Sequence, residues 1–451
     1  MAMLQDALLK HNQQVPRYTS YPTAPHFSSA VGSARYASWL DDIADGSSLS
    51  LYFHIPYCRK LCWYCGCHTK ATKQYRPVET YLDYLLKEID LVRARLSGGQ
   101  RVKHIHFGGG SPSILSPEDF AKIMDTLRSQ FDIARNAEIA IELDPREASE
   151  AKIASYAKWG VNRVSLGVQD FHEKVQDAIN RRQRFHTVYD TVQTLRDYGI
   201  TSINMDLLYG LPHQTAAMVT ENVDFAVALN PSRIALFGYA HVPWMKKHMR
   251  LIDETALPDS PERLAQFDAA ETRLAKRGYT AIGLDHFVRA HDPMLKALND
   301  RTLRRNFQGY TTDGADALIG FGVSSISSLP QGYVQNTAVN ADYFTALDAG
   351  RLPATKGKAL SNDDQLRRAI IDHLMCYFEL DLGAFCAEHD IDIDYFEEAA
   401  PLLDELRSDG LIRVDGAMIK VPPSARQAVR LVCSAFDTYL QGGKQRHAQV
   451  A

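Results

Sequence analysis

Hydrophobic and polar positions alternate with two different periods along residues 50–240. Short runs rich in β-branched and aromatic residues, typical of strands, are separated by longer segments in which apolar residues recur with helical spacing. The predicted strands are 51–55, 102–107, 138–143, 163–168, 202–207 and 233–237. The predicted helices between them are 78–96, 117–130, 150–159, 187–198 and 218–229. This alternation indicates βα units around a parallel sheet.

Two helix boundaries are marked by individual residues. Ser116 is predicted to cap a helix that has Pro117 at its first position, and Asp119 is predicted to return the capping-box bond. Ser260 is predicted to open another helix in the same way. Gly278, which follows two basic residues, is predicted to end that helix.

Near residue 350 the pattern changes to helices followed by residues 411–421, in which Asp415 and Gly416 predict a tight hairpin turn. Two helical segments and a hairpin resemble a winged-helix module, which can bind DNA. From residue 355 to the end, however, the chain carries 11 basic and 16 acidic residues, which disfavours contact with a phosphate backbone. We therefore expect this region to pack on the sheet or to cover it as a lid.

The length and composition fit a globular protein with one large and one small domain. The chain has 451 residues, of which 45% are hydrophobic and 23% charged, so it can bury a full core. Its net charge of -4 gives no broad positive field for nucleic acid. The sequence has no apolar stretch long enough to cross a membrane, and its first ten residues do not resemble a secretory signal. We expect a cytoplasmic protein without nucleic-acid or membrane partners.

Four of the seven cysteines lie in HIPYCRKLCWYCGC, residues 54–67, directly after the first predicted strand. Cys58, Cys62 and Cys65 follow one another at intervals of four and three residues, so their thiolates can converge from one loop. Thiolates select zinc, copper(I) or iron-sulfur clusters over hard cations. A structural zinc site normally has four ligands, often in two separated pairs, and the sequence has no second CxxC. The spacing leaves open whether Cys67 is a fourth ligand, since it follows Cys65 by only two residues.

Glycines and polar residues follow the later predicted strands. GGGSPS at 108–113 does not have the spacing of the dinucleotide fingerprint, and by itself it fits either a tight turn or a ligand cradle. Glu142, Gln169, Asp206 and Ala240 lie at or just past the ends of four other strands. Because catalytic groups gather at the carboxyl ends of parallel barrel strands, we predict a functional site at this rim.

Other chemically distinctive residues are expected to be structural. His104 and His106 alternate on one face of a strand, where a hydrogen-bonded structural role is favoured over metal ligation. The basic runs 181–184 and 304–305 are expected on solvated faces, with pairing to carboxylates of an anionic substrate as the alternative. The remaining cysteines are expected to be buried thiols: Cys376, Cys386 and Cys433.

The CxxxCxxC spacing resembles the hallmark of the radical S-adenosylmethionine (SAM) superfamily. In that superfamily three cysteines hold a 4Fe-4S cluster, and the fourth iron binds the methionine end of SAM. One electron from the cluster then cleaves SAM to a 5′-deoxyadenosyl radical. The resemblance implies that Cys58, Cys62 and Cys65 are the metal ligands and that the glycine motif lies near the methionine amino group.

From near residue 16 to near residue 440, the chain also resembles the oxygen-independent coproporphyrinogen III oxidases. The segments that carry the resemblance are PRYTSYPT, the cysteine loop with Cys67, GGGSPS, IELDPRE, GVQDF, DLLYGLP, RNFQGYTT, GVSSIS and FDTYL. The family implies an α/β fold with a partial TIM-like (β/α)6 barrel, for which we predict residues 50–350. It also implies an N-terminal segment near the active site, predicted as residues 1–49, and a smaller, mostly helical C-terminal domain with a hairpin, predicted as residues 351–451.

The same resemblance implies two bound SAM molecules. The first would contact Tyr52, Gly109, Glu142 and Ile326. The second would contact Tyr64, Gly110, Ser111, Gln169, Arg181, Asp206 and Ala240. Ser111 stands where the family usually has threonine, and Tyr64 where it commonly has phenylalanine, so the hydroxyl and the ring are kept. The residues implied to be required for catalysis are Tyr52, Cys67, Glu142, Phe307 and Gln308.

The implied reaction is the oxidative decarboxylation of two propionates of coproporphyrinogen III to vinyl groups, which gives protoporphyrinogen IX. An electron-donor protein is the implied partner, and we expect a monomer. The alternative within the superfamily is a haem-chaperone-like protein that binds haem without decarboxylating, but such proteins typically lack the fourth cysteine and PRYTSYPT. A zinc-binding scaffold without radical chemistry is the alternative from another class.

Overall fold

A twelve-stranded sheet forms the centre of the computed structural model, which describes residues 2–11 and 14–440. Seven neighbouring strands are parallel and are numbered here in chain order: β1 (Ser48–Ile55), β2 (Arg101–Gly109), β3 (Asp132–Leu143), β4 (Arg163–Gln169), β5 (Ser202–Tyr209), β6 (Arg233–Gly238) and β7 (Ala317–Phe321). Strands β1 to β6 follow one another across the sheet, and β7 lies on the other side of β1. The six predicted strands are confirmed, and β7 was not predicted.

A helix follows each of the first six parallel strands. These helices are α1 (Arg76–Arg93), α2 (Pro117–Gln130), α3 (Glu150–Lys158), α4 (Phe185–Asp197), α5 (Ala216–Ala228) and α6 (Ser260–Lys276). The short helix Glu173–Ala178 lies between β4 and α4. The five helices predicted between the strands are confirmed, which fits a βα succession.

The parallel part of the sheet does not close on itself, because both of its edges continue in antiparallel strands. Beside β7 lie Ile326–Leu329, Gly332–Asn336 and Ala354–Ala359. Beside β6 lie His286–Val288 and Thr280–Ile282. The result is a partial barrel of the expected α/β class.

Three stacked phenylalanines show how β7 is fixed beside β1. Phe53 on β1 pairs in register with Phe107 on β2 and with Phe321 on β7. Its ring centroid lies 5.1 Å from that of Phe107 and 4.8 Å from that of Phe321, and all three side chains are fully buried. Burial of large aromatic rings is among the strongest sources of core stability, so this layer holds the three strands together.

The helix starts only partly follow the predictions. Ser116 Oγ accepts from the backbone N of Asp119 at 3.1 Å, as predicted for α2. The Asp119 carboxylate accepts from the Tyr75 hydroxyl instead of returning to Ser116, so the predicted capping box is wrong in this half. For α6, the cap is Asp259 and not Ser260, which is the first helical residue. Asp259 accepts from the backbone N of Glu262 at 2.9 Å, and the Glu262 carboxylate accepts from the backbone N of Asp259 at 3.0 Å, so the capping box begins at Asp259.

The C-terminal region combines helices with a small antiparallel sheet. Its helices are Asn362–Tyr377, Leu382–Glu388, Ala400–Ser408 and Val429–Ala435. Its strands are Glu379–Asp381, Arg413–Asp415 and Met418–Lys420. The hairpin is confirmed, but its turn consists of Gly416 and Ala417, because Asp415 still pairs with Met418. Residues 441–451 of the predicted C-terminal domain lie outside the described residues.

The N-terminal segment shares a hydrophobic core with this C-terminal region. Tyr18 and Tyr21 are buried against a cluster that includes Ile370, Leu374 and Phe436. The remaining helices are Ala2–Lys10, Ser33–Asp41, Pro293–Asn299 and Asn340–Asp348, and the remaining strand pairs are Arg304–Asn306 with Gly309–Thr311 and Tyr57–Cys58 with Lys70–Ala71. Among the described residues, no helix combines the length and the apolar character that a membrane span requires. The domain boundaries stay a prediction.

Candidate active site

The four clustered cysteines lie in the loop that follows β1. The loop is closed at its base, where Tyr57–Cys58 pairs with Lys70–Ala71. Cys62 is buried, Cys58 and Cys65 are half-buried, and Cys67 is exposed. All four line one cavity of about 190 Å³ at the carboxyl ends of the parallel strands. The cysteines that the sequence places in one loop therefore face a shared space.

The spacing of the thiols bears on the kind of metal they can hold. In the described part of the chain, the one group of three candidate ligands whose atoms all lie within 4.8 Å of one another is His11, Glu405 and Asp409. Thiolates around one tetrahedral zinc, at Zn–S distances near 2.3 Å, would lie about 3.8 Å apart. The cysteine sulfurs do not converge to that extent. The four thiols therefore do not form a compact tetrahedral zinc site in the structure as it stands.

Two guanidinium groups approach the buried thiol. Arg181 Nη1 lies 3.5 Å from Cys62 Sγ, and Arg146 Nη2 lies 3.8 Å from it. Both arginines also pair with Asp144, at 3.2 and 2.5 Å. Burial would raise the pKa of Asp144, but the charges of Arg181 and Arg146 hold it at about 2. Two positive charges and one negative charge therefore lie beside the Cys62 sulfur.

The other thiols differ in their surroundings. A hydrogen bond with Cys67 lowers the pKa of Cys65 to about 7, and the charges of Lys246 and Arg181 act in the same direction. Burial raises the pKa of Cys58 to about 12, although its sulfur lies 3.2 Å from Thr69 Oγ1. Because metal binding requires thiolates, binding at Cys58 must release a proton.

Two side chains from the segment after β6 form hydrogen bonds with the backbone of the cysteine loop. Lys246 Nζ donates to the carbonyl of Cys67 at 2.9 Å, and His248 Nε2 lies 2.7 Å from the carbonyl of Cys65. These contacts fix the backbone on either side of Gly66 and leave the sulfurs on the cavity side.

The three consecutive glycines at the end of β2 allow a close approach of backbone and side chains. A Cβ on Gly108 would lie 2.8 Å from Glu142 Oε1. Gly109 has φ +114°, and a Cβ there would lie 2.7 Å from the His54 ring. A Cβ on Gly110 would lie 2.4 Å from Thr69 Oγ1. The glycines therefore allow a tight turn against protein side chains, and the ligand cradle that the sequence left as the alternative stays a prediction.

Glu142 on β3 is held from two sides inside the barrel. One carboxylate oxygen lies 3.2 Å from His106 Nε2, and the other accepts from the backbone N of Gly109 at 3.2 Å. Burial would raise the pKa of Glu142, but the hydrogen bonds and charge of His106 and the Gly109 N–H bring it below its ordinary value. The Tyr52 ring stacks on His106 with centroids 5.8 Å apart, and its hydroxyl lies 3.0 Å from His54 Nδ1. A negative group is thus fixed beside the glycines.

The next two strands contribute an amide and a second carboxylate. Asp206 on β5 accepts from Ser165 Oγ at 2.9 Å and from Asn204 Nδ2 at 2.7 Å. Burial, followed by the charge of Glu142, raises its pKa to about 6. Gln169 ends β4 with φ +72°. Gly167 has no side chain, which leaves room for the side chains of Gln169 and Arg181.

The cavity brings together most of the predicted site residues. Those that line it are Cys58, Cys62, Cys65, Cys67, Tyr64, Gly109, Gly110, Ser111, Glu142, Gln169, Arg181 and Asp206. Gln308 lines an adjoining cavity in the barrel interior together with His106, Glu142 and Asp206. Tyr52 contacts that group through His106.

Three further predicted residues, besides Tyr52 and Gln308, do not line the cysteine cavity. Ala240 lines a separate cavity at the end of β6, and Phe307 lines another beside the C-terminal region. Ile326 begins the strand next to β7, where its carbonyl approaches Gly320, the register partner of Tyr52.

The sequence interpretation missed several residues that shape the site. Asp144 and Arg146 belong to IELDPRE, so their spacing after Glu142 was a usable signal. Lys246 and His248 lie far along the chain in a loop without a pattern, and no signal in the sequence points to them. The expectation that Arg181 lies on a solvated face is wrong, because its side chain is buried against Cys62. His106 is hydrogen-bonded, and the other three cysteines are buried.

Comparison with known proteins gives consistent results. The sequence model of the radical SAM superfamily matches residues 52–226. The oxygen-independent coproporphyrinogen III oxidase of Bradyrhizobium diazoefficiens is 48% identical over 97% of each chain. That of Escherichia coli K12 is 39% identical over 96% of this chain and 94% of its own. A solved structure of Escherichia coli coproporphyrinogen III oxidase, described as a radical SAM enzyme, superposes with a TM-score of 0.90 at 38% identity and covers 95% of this chain and 100% of its own.

Proposed function

The chain belongs to the oxygen-independent coproporphyrinogen III oxidases of the radical SAM superfamily, and we propose that it converts two propionates of coproporphyrinogen III to vinyl groups, giving protoporphyrinogen IX. The observation that carries this proposal is the cavity in which three spaced thiols meet the glycine cradle, Glu142 and Asp206. Relatives of this family match 97% of the chain, so the similarity extends well beyond the cluster motif.

Cys58, Cys62 and Cys65 are proposed as the cluster ligands, and the donor set fits a 4Fe-4S cluster. Bound together, the cluster and SAM supply a one-electron cleavage that yields a carbon radical able to remove a propionate β-hydrogen. The chain itself contributes positioning: Arg146 and Arg181 lie 3.8 and 3.5 Å from the Cys62 sulfur, where their charge would face a bound cluster. Each propionate then loses carbon dioxide and one further electron, which an acceptor must take up.

Two SAM molecules are proposed, as the family implies. Tyr52, Gly109, Glu142 and Ile326 would hold the first, and Tyr64, Gly110, Ser111, Gln169, Arg181, Asp206 and Ala240 the second. Eight of these eleven residues line the cavity with the cysteines, which supports the assignment. The carboxylate of Glu142 suits a cationic amino group or sulfonium, and Arg181 suits a carboxylate.

Further residues and properties are proposed from the family. Cys67, Phe307 and Gln308 are proposed as required groups, together with Tyr52 and Glu142. Gln308 lies next to Glu142 and Asp206 in the barrel interior, whereas Phe307 lies further out. We also propose a cytoplasmic monomer that receives electrons from a donor protein, with the barrel at 50–350 between the segment 1–49 and the domain 351–451.

Anaerobic turnover tests the proposed function. The reconstituted enzyme with reductant, SAM and coproporphyrinogen III should release carbon dioxide and 5′-deoxyadenosine and form the divinyl product. Cleavage of SAM without a vinyl product, under a competent electron donor, would contradict the substrate. Tight haem binding without carbon dioxide release would instead indicate the haem-chaperone alternative. A colourless protein with stoichiometric zinc and no iron or sulfide would indicate the zinc scaffold.

A further inference from the structure

A second cavity, of about 380 Å³, lies beyond the carboxyl ends of β5 and β6. Its walls come from the ends of these strands, from α6, from the N-terminal segment and from the C-terminal region. Much of this wall is apolar or aromatic: Leu236, Phe237, Tyr239, Leu257, Phe267 and Leu284. The cavity can therefore bury a largely apolar surface of a ligand.

The charged groups in this wall are nearly all cationic. Four arginines line the cavity, Arg17, Arg263, Arg305 and Arg430, and the one carboxylate among its lining residues is Asp285. Asp285 already pairs with its neighbour His286, at 2.7 Å. The cavity thus concentrates positive charge in a chain whose net charge is negative.

The guanidinium of Arg263 occupies space that side chains at Gly210 and Gly238 would otherwise fill. A Cβ on Gly210 would lie 2.1 Å from Arg263 Nη1, and a Cβ on Gly238 would lie 3.1 Å from its Nη2. The guanidinium stacks over the Tyr209 ring, 5.5 Å from its centroid. It forms no hydrogen bond or ion pair with the residues that the structure describes. A cation for which the backbone makes room, and which has no anionic partner, is suited to bind an anion.

The other arginines add donors to the same space. Arg305 has two buried guanidinium nitrogens, Nε and Nη1, without a hydrogen-bond partner in the described chain. Arg17 is exposed and donates to the carbonyl of Gly238 at 2.9 Å. Arg430 donates to the carbonyls of Val15 and Pro16, and burial together with the charge of Arg17 lowers its pKa to about 10. The positive charges therefore repel one another in the absence of an anion.

This cavity adjoins the barrel interior, which in turn adjoins the cysteine site, because neighbouring cavities share lining residues. Phe237 lines both the arginine-rich cavity and the interior cavity that contains Gln308. Glu142, Ser165 and Asp206 line both the interior cavity and the cysteine cavity. A large substrate could therefore lie with one side at the cysteine site and another at the arginines.

We propose that Arg17, Arg263 and Arg305 bind the propionate carboxylates of the tetrapyrrole that are not reacting, while its apolar ring lies against the wall formed by β6 and α6. This inference rests on the proposed function and names the residues that hold that substrate. A tetrapyrrole with four propionates presents several carboxylates around an apolar macrocycle, which matches the wall. The carboxylate of a second SAM, near Ala240, is the competing occupant, and the test separates the two.

The test measures binding of coproporphyrin III, the stable oxidised form of the substrate, to the anaerobic holoenzyme. Arg263→Met and Arg17→Met should each weaken this binding about 10- to 100-fold, as expected for loss of a charge-assisted hydrogen bond. The neutral tetraamide of coproporphyrin III should bind wild type and variants alike, because it presents no carboxylate. Arg263→Lys should lose less affinity than Arg263→Met, since it keeps the charge.

Arg273→Met is the matched control, because Arg273 lies on the same helix but pairs with Asp224 outside the cavity. Cluster content and substrate-independent SAM cleavage should stay at wild-type levels in all four variants. Unchanged coproporphyrin III affinity in Arg263→Met, or an equal loss for the tetraamide, would overturn the inference. Weakened SAM binding instead would assign the arginines to SAM. If wild type itself neither binds coproporphyrin III nor forms vinyl product, the proposed function fails, which is a different result.

Discussion

Arg181 Nη1 lies 3.5 Å from Cys62 Sγ and 3.2 Å from Asp144 Oδ2, so one buried guanidinium joins a proposed cluster ligand to a carboxylate. The next residue, Arg182, is exposed and pairs with Asp177. Two adjacent arginines thus have opposite surroundings, one facing the cavity and one facing solvent.

Arg181→Met should make the cluster harder to reduce. Reduction adds a negative charge, and the positive charge next to Cys62 stabilises the reduced state more than the oxidised state. We expect the reduction potential of the cluster to fall by on the order of tens of millivolts, because net charge and hydrogen bonds to the sulfurs set that potential. A redox titration of the reconstituted enzyme, followed by electron paramagnetic resonance, measures this. Arg182→Met is the control and should leave the potential unchanged, whereas equal potentials in all three proteins would contradict the role of Arg181.

Replacement of the clustered cysteines should separate ligands from the fourth thiol. Cys58→Ser, Cys62→Ser and Cys65→Ser should each abolish the cluster, because a cluster held by three thiolates cannot spare one. Cys67→Ser should keep the cluster and lose activity. Iron and sulfide analysis with the visible spectrum measures the first effect, and turnover measures the second. Loss of the cluster in Cys67→Ser would make Cys67 a ligand.

The sequence was most informative where function depends on local spacing. The cysteine loop, the glycine motif and the ends of β3 to β5 follow from residues close together in the chain, and the structure collects them in one cavity. Contacts between segments that are distant in the chain leave no local spacing pattern in the sequence, so they were not predicted. Lys246 reaches the cysteine loop across 179 residues, and Arg17 shares a cavity with Arg430. Strand β7 and the antiparallel edges were missed because their pairing depends on long-range contacts.

Gly110→Ala should disrupt the cradle at the end of β2. The new Cβ would lie 2.4 Å from Thr69 Oγ1 and 2.8 Å from the backbone N and O of Tyr57, so the cysteine loop must move. We expect a loss of stability of about 1 to 3 kcal/mol and a marked loss of SAM binding. Gly314→Ala is the control, because a Cβ there meets no described atom within 4 Å and its φ is not in the left-handed region. Calorimetric titration with SAM measures the effect, and wild-type affinity in Gly110→Ala would show that the turn can adjust.

A buried carboxylate on α1 anchors the segment that follows β7. Glu88 is fully buried and accepts from the backbone N of Gly322 at 2.7 Å, from Asn336 Nδ2 at 2.6 Å and from the Tyr343 hydroxyl at 2.6 Å. Burial raises its pKa from 4.5 to about 7, although these three hydrogen bonds act in the opposite direction. The folded protein therefore keeps a proton on Glu88 over a pH range in which the unfolded chain releases it.

Glu88 should make the folded state less stable as pH rises from 4.5 to 7. Between these values the folded chain holds more protons than the unfolded chain, so the contribution of Glu88 is complete below pH 4.5 and is lost as pH rises through the folded pKa. Over this range, the free energy of unfolding is expected to fall by about 3 kcal/mol through Glu88 alone. Glu88→Gln cannot titrate and should remove this part of the pH dependence, whereas Glu79→Gln, an exposed change on the same helix, should retain it. Anaerobic urea unfolding from pH 5 to 8 measures the free energy of unfolding, and the same slope in wild type and Glu88→Gln would show that Glu88 stays ionised throughout.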